Sequence, residues 1–464
     1  MITRTLRTAR ETVSAFLNPV HADKAGAAQR TWDNLPPDLQ VPNQVLGKQS
    51  AGCAATYGVL EACDFKCTAC YLADVADDTP PLPMHEVKAQ LDQIREHLGP
   101  WGSTQITAGE VTLLPCDELI EILRYCHEIQ LTPMLMTNGQ TILKDPTYLE
   151  RLLVEGHLRK VAFHIDTTQK GRLGLRARDT ETDIHWIRDA FANLVRQTRK
   201  KTGINFEAAG TFTVTEDNFE QVPEVLRWFI DNSDAFYLFS LQPTADVGRT
   251  RESEQVNQRE ALWNQVREGA GLHLNRHAMR FGHPQCNSVS MFWVIKYEDA
   301  EGNEQTQLME VTREGVDKDR VFFERLISDG LAGFSPDGEA GHLVLARLMG
   351  RFAQSPRYLW SIPTFCASRV WEERAWVPEF LKAVAARRRW RVSPFGVVVH
   401  NFMSAHELET EEGKARLDAC SFKVPIDGEM VSMCRLNGTD MRRKQNLKDQ
   451  DRLVSIKEPI RRAG

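Results

Sequence analysis

Cysteine is scarce in this chain, which has 10 cysteines among its 464 residues. That density is far too low for a scaffold held by disulfides, so it favours a reducing cytoplasm in which cysteines serve metal or redox chemistry. No apolar run approaches the roughly 18 residues that a transmembrane helix needs. A net charge of −6 at pH 7 argues against a global basic field that recruits nucleic acid. The overall composition is that of a globular protein with a large core.

The first 20 residues carry spaced basic residues without a continuous apolar core. Arg4, Arg7 and Arg10 therefore do not indicate a secretory signal. Two interpretations stay open for this segment. It forms a helix packed on the body of the protein, or a basic amphipathic helix that makes peripheral contact with a membrane surface.

Short apolar segments alternate with longer amphipathic segments from about residue 53 to residue 250. Strands are predicted at 54–60, 103–109, 132–139, 160–166, 204–214 and 235–243, and helices at 84–98, 116–129 and 183–201. This β-then-α order predicts a parallel sheet covered by helices, open or barrel-like. Active sites in such folds lie at the carboxyl ends of the strands.

Three regions are predicted along the chain: residues 1–50 as a helix and proline-rich lead-in, 51–250 as the core, and 251–464 as a mixed C-terminal domain. In the last region the alternation fades. A β-hairpin is expected around Glu301 to Asn303, followed by helices to about residue 390. The basic run 387–391 is interpreted as the exposed end of a helix.

The segment CDFKCTACY, residues 63 to 71, brings three cysteines close together. Structural zinc commonly draws on two close pairs of ligands, and a ferredoxin-type [4Fe–4S] cluster takes four thiolates. Cys63, Cys67 and Cys70 supply only three thiolates. One iron of a cluster in this loop is therefore left open for a substrate or cosubstrate.

Two further motifs end neighbouring strands, TAGE at 107–110 and TNG at 137–139. Ala108 and Gly109 have almost no side chain, so a ligand can approach the backbone closely. Glu110 then offers a carboxylate to an amine.

A carboxylate ends the fourth predicted strand. Asp166 would be costly to bury inside a barrel without hydrogen bonds, which favours a ligand-facing role. His164 shares its face of the strand and is interpreted either as a core residue or as a substrate contact.

Taken in this order, the three motifs resemble those of the radical S-adenosylmethionine (SAM) enzymes. The resemblance covers about residues 53–250 and implies a partial (β/α)6 barrel with a [4Fe–4S] cluster on Cys63, Cys67 and Cys70. It implies that SAM chelates the open iron through its amino and carboxylate groups. One electron from a flavodoxin- or ferredoxin-type reductant would then cleave SAM to methionine and a 5′-deoxyadenosyl radical.

The same resemblance implies roles for residues around the cluster. Ala108, Gly109 and Glu110 match the G-G-E position that engages the methionine amino group, with Ala108 where the family has glycine. Tyr71 stands where the family has an aromatic near the adenine, a core aromatic being the alternative. Asn138 would touch the ribose or a neighbouring loop, although Asn-Gly is also simply a turn. Asp166 is included among the cofactor-binding candidates.

Four late cysteines lie in settings unlike a core helix: Cys286, Cys366, Cys420 and Cys434. Thiolates from distant segments can meet at one auxiliary [4Fe–4S] cluster, and four unrelated buried cysteines are the alternative. The remaining three, Cys53, Cys116 and Cys126, are interpreted as packing residues.

A narrower resemblance is to the radical SAM subgroup that contains archaeal tetraether lipid synthase and a pterin-modifying methyltransferase. It rests on the residues Gln242, Pro243, Gly248, Arg249, His283, Pro284, Cys286, Cys420, Asp427, Gly428 and Cys434. It implies an auxiliary cluster, with no motif matched at Cys366. The chain lacks the cysteine-rich, rubredoxin-like segment that precedes the core in some relatives, a difference that concerns the exact reaction.

Three functions are weighed. The first is hydrogen abstraction from an unactivated carbon, with carbon–carbon bond formation or methyl or methylene transfer on a lipid. The second is modification, such as methylation, of a small heterocycle or a peptide. The third is a non-catalytic Fe–S electron carrier, which would need neither Glu110 nor an open iron. Apolar residues of the C-terminal half either wall a dry tunnel or form ordinary core: Phe292, Trp293, Phe322, Phe323, Trp360, Trp371 and Trp376.

Overall fold

A computed structural model describes residues 2–250, 259–331 and 341–462 of the chain. The strands of these residues are β1 (Cys53–Ala55), β2 (Gly102–Ile106), β3 (Leu131–Thr137), β4 (Lys160–His164), β5 (Glu207–Val214), β6 (Phe236–Pro243), β7 (Asn287–Glu298), β8 (Glu304–Glu310), β9 (Trp390–His400), β10 (Phe422–Ile426) and β11 (Glu429–Ser432). They form one sheet in the order β11-β10-β1-β2-β3-β4-β5-β6-β9-β7-β8.

The centre of this sheet is parallel. Strands β1 to β6 are neighbours in chain order, β10 runs parallel to β1, and β9 runs parallel to β6. Among the described strands, the antiparallel pairs are β10 with β11, β9 with β7, and β7 with β8. The predicted six-stranded parallel core is confirmed, and so is the hairpin, whose strands are β7 and β8.

Helices join and cover the strands. They are α1 (Ile2–Leu17), α2 (Ala22–Asn34), α3 (Met84–Leu98), α4 (Cys116–Glu128), α5 (Gln140–Lys144), α6 (Pro146–Val154), α7 (His185–Thr202), α8 (Val222–Asp231), α9 (Arg259–Ala270), α10 (Asp317–Ser328), α11 (Gly341–Gln354), α12 (Tyr358–Glu372), α13 (Val377–Ala385), α14 (Glu411–Asp418), α15 (Met433–Gly438) and α16 (Met441–Arg462). The three helices predicted in the core, α3, α4 and α7, are all present. Each buries an apolar stripe, as Ile187, Phe191 and Leu194 do on α7.

The sheet crosses the predicted boundary at residue 250. The region 251–464 contributes β7, β8 and β9 beyond β6, and β10 and β11 beyond β1. The basic run is not a helix end, because α13 stops at Ala385 and β9 begins at Trp390. Arg387 between them takes a left-handed turn conformation with φ of +56°.

The N-terminal helix α1 packs on the body of the protein. A Cβ added at Gly350 of α11 would lie 2.0 Å from the Phe16 carbonyl oxygen, so the two helices touch closely. Arg347 donates to the Asn18 carbonyl at 2.7 Å. The packed interpretation matches this placement. Among the described residues no helix combines the length and apolar character that crossing a bilayer requires.

Strand β1 is shorter than the predicted 54–60. It ends at Ala55 because the chain then turns through Gly58, which has φ of +66°. The Gly58 amide donates to a carboxylate oxygen of Glu61 at 3.0 Å. This turn delivers the cysteine segment to the carboxyl edge of the sheet.

Candidate active site at the carboxyl edge of the sheet

A cavity of about 1300 Å³, a volume that includes its open mouth, lies at the carboxyl ends of the parallel strands. Its walls include the following predicted site residues: Cys63, Cys67, Cys70, Tyr71, Ala108, Gly109, Glu110, Asn138 and Cys434. The structure therefore brings together residues that are spread over most of the chain.

The cysteine loop is fixed by a second loop that follows β4. The backbone amide of Lys66 donates to the Lys170 carbonyl at 2.8 Å, and that of Thr68 donates to the Thr168 carbonyl at 3.0 Å. On the other side, the Cys63 amide donates to Asp77 at 3.2 Å. Backbone bonds of this kind set the positions of the three sulfurs before any ligand binds.

The segment after β6 is hydrogen-bonded to the cysteine loop. The Arg249 amide donates to the Cys70 carbonyl at 2.8 Å, and the Cys70 amide donates to the Thr250 hydroxyl at 3.0 Å. Gly248 has φ of +59°, and a Cβ there would lie 2.4 Å from the Tyr71 backbone. The glycine and arginine of the Q-P-x-x-x-x-G-R segment thus serve to hold the cysteine loop.

The three thiols lie in one another's electrostatic field. Burial raises the pKa of the Cys63 thiol to about 12, and it raises the pKa values of Cys67 and Cys70 as well. Thiolates in this place need a metal to replace their protons. Among the described residues no set of three histidine, cysteine, aspartate or glutamate side chains is arranged to hold a single metal ion. Three soft donors on one wall suit a cluster, whose irons spread the ligands further apart.

The A-G-E segment is shaped first by backbone packing. The Gly109 amide donates to the Leu60 carbonyl at 2.8 Å, and the Glu110 amide donates to the Ala62 carbonyl at 2.9 Å. A Cβ at Gly109 would lie 2.2 Å from the Ala62 carbonyl oxygen. Glycine is therefore required at 109 for the approach of the cysteine segment, independently of any ligand.

Glu110 is buried and held by protein donors. Its carboxylate accepts hydrogen bonds from the Thr112 hydroxyl at 2.5 Å, the Thr137 hydroxyl at 2.6 Å and the Asn138 amide at 2.5 Å. Burial nevertheless raises the pKa of Glu110, against the lowering effect of these bonds. The carboxylate lines the cavity with its orientation already fixed.

Asn138 ties the third strand to the cysteine loop. Its side-chain amide donates to Asp64 at 2.8 Å, and its side-chain oxygen accepts from the Gln140 amide at 2.8 Å. Contact with a neighbouring loop was one of the open interpretations, and this is the contact that the structure contains. Asn138 also lines the cavity.

Tyr71 bridges the cysteine loop and the second strand. Its hydroxyl donates to the Ala108 carbonyl at 2.8 Å, and the guanidinium of Arg442 lies 5.2 Å from the centre of its ring. The aromatic face between them forms part of the cavity wall. Burial raises the pKa of Tyr71 to about 12.

Asp166 and His164, which share a face of the fourth strand, form a hydrogen-bonded pair. Asp166 is fully buried and accepts hydrogen bonds from Thr168 and from the Thr213 amide, the latter at 2.7 Å. It also pairs with His164 at 2.6 Å, and this imidazole holds the pKa of Asp166 at about 2 despite burial. His164, whose side chain is 27% exposed, lines the cavity, and Asp166 supports it from behind.

Sequence reasoning missed two polar residues in the loop after β4. Arg172 is buried and donates to the carbonyls of Asn138 and His164 at 2.7 and 2.8 Å. Gln169 is fully buried, lines the cavity, and has a side-chain nitrogen without a hydrogen-bond partner. A buried donor that faces a cavity without a partner fits a site built for a polar ligand. The run QKGR in a glycine-rich loop was the only signal for either residue.

The rest of the wall is largely apolar. It includes Phe65, Leu72, Met136, Phe402, Met403, Phe422 and Met433. None of the aromatic residues predicted as tunnel walls is among its lining residues. Phe292 is core, whereas Trp360 and Trp371 on α12 are 77% and 70% exposed. The apolar wall comes instead from the cysteine loop, β3, the segment after β9, β10 and α15.

The four late cysteines differ in their burial. Cys286, Cys420 and Cys434 are partly buried and lie in one another's electrostatic field, whereas Cys366 is exposed on α12. Cys126 is buried in the core as predicted. The thiols of Cys53 and Cys116 contact the Ser103 and Tyr148 carbonyls at 3.4 and 3.8 Å.

No protein-family model matches the chain, and no curated protein does either. Among solved structures, SuiB of Streptococcus suis bound to its precursor peptide SuiA aligns at 20% identity, over 41% of this chain and 38% of that one, with a TM-score of 0.30. The protein anSMEcpe with bound AdoMet aligns at 17% and 19% identity in two structures, over 41% of this chain and 49% and 51% of those chains, with TM-scores of 0.31. The alignments span about half of those proteins or less. Overlap at this level does not establish a shared activity.

Proposed function

We propose that the chain is a radical SAM enzyme that removes a hydrogen atom from an unactivated carbon. The observation that supports this most is the shared cavity, whose walls include Cys63, Cys67 and Cys70 together with the A-G-E segment and Asn138. When bound, a [4Fe–4S] cluster on these thiolates would pass one electron to SAM, so that SAM gives methionine and a 5′-deoxyadenosyl radical that leaves as 5′-deoxyadenosine after taking the substrate's hydrogen. The electron would come from a flavodoxin- or ferredoxin-type protein.

The chain's own residues would hold SAM beside the cysteine loop. Glu110 supplies a carboxylate, fixed by four donor groups, for the methionine amino group. Gln169 supplies a buried donor without a partner, and Tyr71 supplies an aromatic face. Asn138 and Asp166 act indirectly. The Asn138 side chain is hydrogen-bonded to Asp64, and the Asp166 carboxylate is hydrogen-bonded to His164.

We propose a lipid as the substrate, with carbon–carbon bond formation or methyl or methylene transfer as the reaction. Besides the residues of the cysteine loop and the A-G-E segment, the cavity wall carries Phe402, Met403, Phe422 and Met433. An apolar wall suits an acyl chain and excludes water from a reactive radical. A heterocycle or a peptide is the alternative substrate.

The class of enzyme is tested by anaerobic reconstitution followed by SAM and dithionite. We expect 5′-deoxyadenosine from the wild-type chain and a loss of at least about 100-fold in Cys67→Ala, because two thiolates cannot hold the cluster. Cys116→Ala is the matched control, since it removes a partly buried thiol outside the cavity. If the wild-type protein binds iron and forms no 5′-deoxyadenosine, it is an electron carrier.

The substrate is tested by isotope transfer. Vesicles of perdeuterated acyl lipid are supplied with SAM and reductant, and the 5′-deoxyadenosine is examined for deuterium by mass spectrometry. Deuterium in this product identifies the lipid as the hydrogen donor. Unlabelled product in the presence of lipid would contradict the lipid proposal and leave the radical SAM proposal intact.

A further inference from the structure

A second group of three cysteines forms at the edge of the same cavity. Cys420 precedes β10, and Cys434 is the second residue of α15, which follows β11 directly. Since Lys423 pairs with Ser432 in the β10–β11 hairpin, Cys420 and Cys434 lie at the same open end of that hairpin. Cys286 stands at the start of β7, after a turn in which its amide donates to the His283 carbonyl at 2.9 Å.

Hydrogen bonds bring the three segments together. The Asn287 side chain donates to the Ser421 hydroxyl at 3.4 Å, which joins the neighbours of Cys286 and Cys420. The segment after β9 joins the other pair, since the Asn401 amide donates to the Cys286 carbonyl at 2.8 Å and the Met403 amide to the Cys434 sulfur at 3.4 Å. The segments that carry Cys286 and Cys420, more than 100 residues apart in sequence, are thus joined, and Cys434 belongs to the same hairpin as Cys420.

A buried cation lies beside this group. Arg416 is 2% exposed, its charge lowers the pKa of the Cys286 thiol against the effect of burial, and it donates to the Asn401 carbonyl at 2.7 Å. Its Nε has no partner, and its one carboxylate contact is Glu407 at 3.3 Å. A buried guanidinium is stabilised by further negative charge nearby, which three thiolates around a cluster would provide.

The remaining cysteines do not complete this group. All ten cysteines lie within the described residues, and three of the other seven belong to the loop at Cys63 to Cys70. Cys53, Cys116 and Cys126 are placed in the core of the β/α region as described above. Cys366 is exposed on α12, whereas the other three are partly buried. One coordination position of a cluster here is left without a cysteine.

Cys434 faces the cavity that also contains the first three cysteines. The side chains of Met403, Phe422 and Met433 line the wall beside it, so apolar surface adjoins the second group. A substrate that binds against this apolar surface would therefore lie next to Cys434.

We propose that Cys286, Cys420 and Cys434 hold a second [4Fe–4S] cluster whose fourth iron binds a lone-pair donor of the substrate, an oxygen, nitrogen or sulfur atom of its polar end. The proposal rests on the radical SAM function for the identity of the cavity. It gives the second cluster a role in binding and orienting substrate, and Cys366 no role as a ligand.

Iron counts on three sets of variants test the ligands. We expect about eight irons per wild-type chain and about four in either Cys63/Cys67/Cys70→Ala or Cys286/Cys420/Cys434→Ala. Cys366→Ser is the matched control and should keep all of them with an unchanged electron paramagnetic resonance spectrum. About four irons in the wild type, or a loss in Cys366→Ser, would overturn the proposed ligand set.

The open position is tested with ¹³C-cyanide as a probe of the reduced second cluster. In wild type saturated with SAM, which occupies the first open iron, cyanide should produce ¹³C hyperfine coupling that disappears in Cys420→Ser. The Cys63/Cys67/Cys70→Ala variant should give the same coupling without SAM. No coupling in either sample means four protein ligands and contradicts the proposal. Because 5′-deoxyadenosine formation is measured separately, failure of the radical SAM function itself would be distinguishable.

Discussion

At the scale of single residues, the site depends on glycines at which a Cβ atom would clash with neighbouring backbone atoms. Gly248 combines a left-handed backbone with contact against the Tyr71 backbone. An alanine there suffers both the strain of positive φ and a clash with backbone atoms that cannot rotate away. We expect Gly248→Ala to lower the free energy of unfolding by roughly 3 kcal/mol, measured by chemical denaturation, and to lower the iron bound after reconstitution.

Gly203 provides the matched control for this substitution. It also has a left-handed backbone, with φ of +71°, but an added Cβ would have open space around it. Gly203→Ala should therefore lose only about 1 kcal/mol, the strain term alone. Equal losses in the two variants would mean that the contact between Gly248 and the cysteine loop is unimportant.

Roles that depend on residues close together in the sequence were predictable, whereas roles set by distant partners were not. The spacing of Cys63, Cys67 and Cys70 indicated one loop, and the structure places all three on one wall. Asp166 was predicted to face a ligand, but Thr213 of β5 supplies an amide donor that a sequence pattern does not reveal. The pair of His164 and Asp166 is therefore visible only once β4 and β5 are side by side.

At the scale of elements, the C-terminal helix α16 braces the turn that leads to the cysteine loop. Arg442 of this helix pairs with Glu61 at 2.7 Å, and both side chains are almost completely buried. Removing the cation would leave a buried carboxylate without its partner. We expect Arg442→Met to lower the free energy of unfolding by about 3–5 kcal/mol, measured by chemical denaturation of the protein before reconstitution.

The next residue of the helix offers a control on the same turn. Arg443 pairs with Asp74 at 3.0 Å, but both side chains are at least half exposed. Arg443→Met should change stability by at most about 1 kcal/mol, because water screens an exposed pair. A large loss in this variant would show that α16 is destabilised generally, whatever the role of Glu61.

Elements with strong periodicity were predicted well, and elements defined by long-range pairing were not. Helix α3 has its predicted bounds because its apolar residues repeat at helical spacing and Gly99 ends it. Strand β10 is only five residues long and contains Pro425, so its sequence is a weak strand signal. It exists because β1, more than 360 residues earlier, offers an unpaired edge.

At the scale of the whole molecule, the late strands close off both edges of the core that the sequence predicted as a separate unit. Strand β10 covers β1, and β9 covers β6. A fragment of residues 51–250 would expose both edges and leave Glu61 buried without Arg442. We expect this fragment to aggregate or to lack a cooperative thermal transition, and to retain far less iron per chain than the full protein, by size-exclusion chromatography, circular dichroism and iron analysis. A monomeric fragment with a sharp transition would show instead that the core folds alone and that the boundary near residue 250 separates two domains, with the late strands added to a core that is already stable.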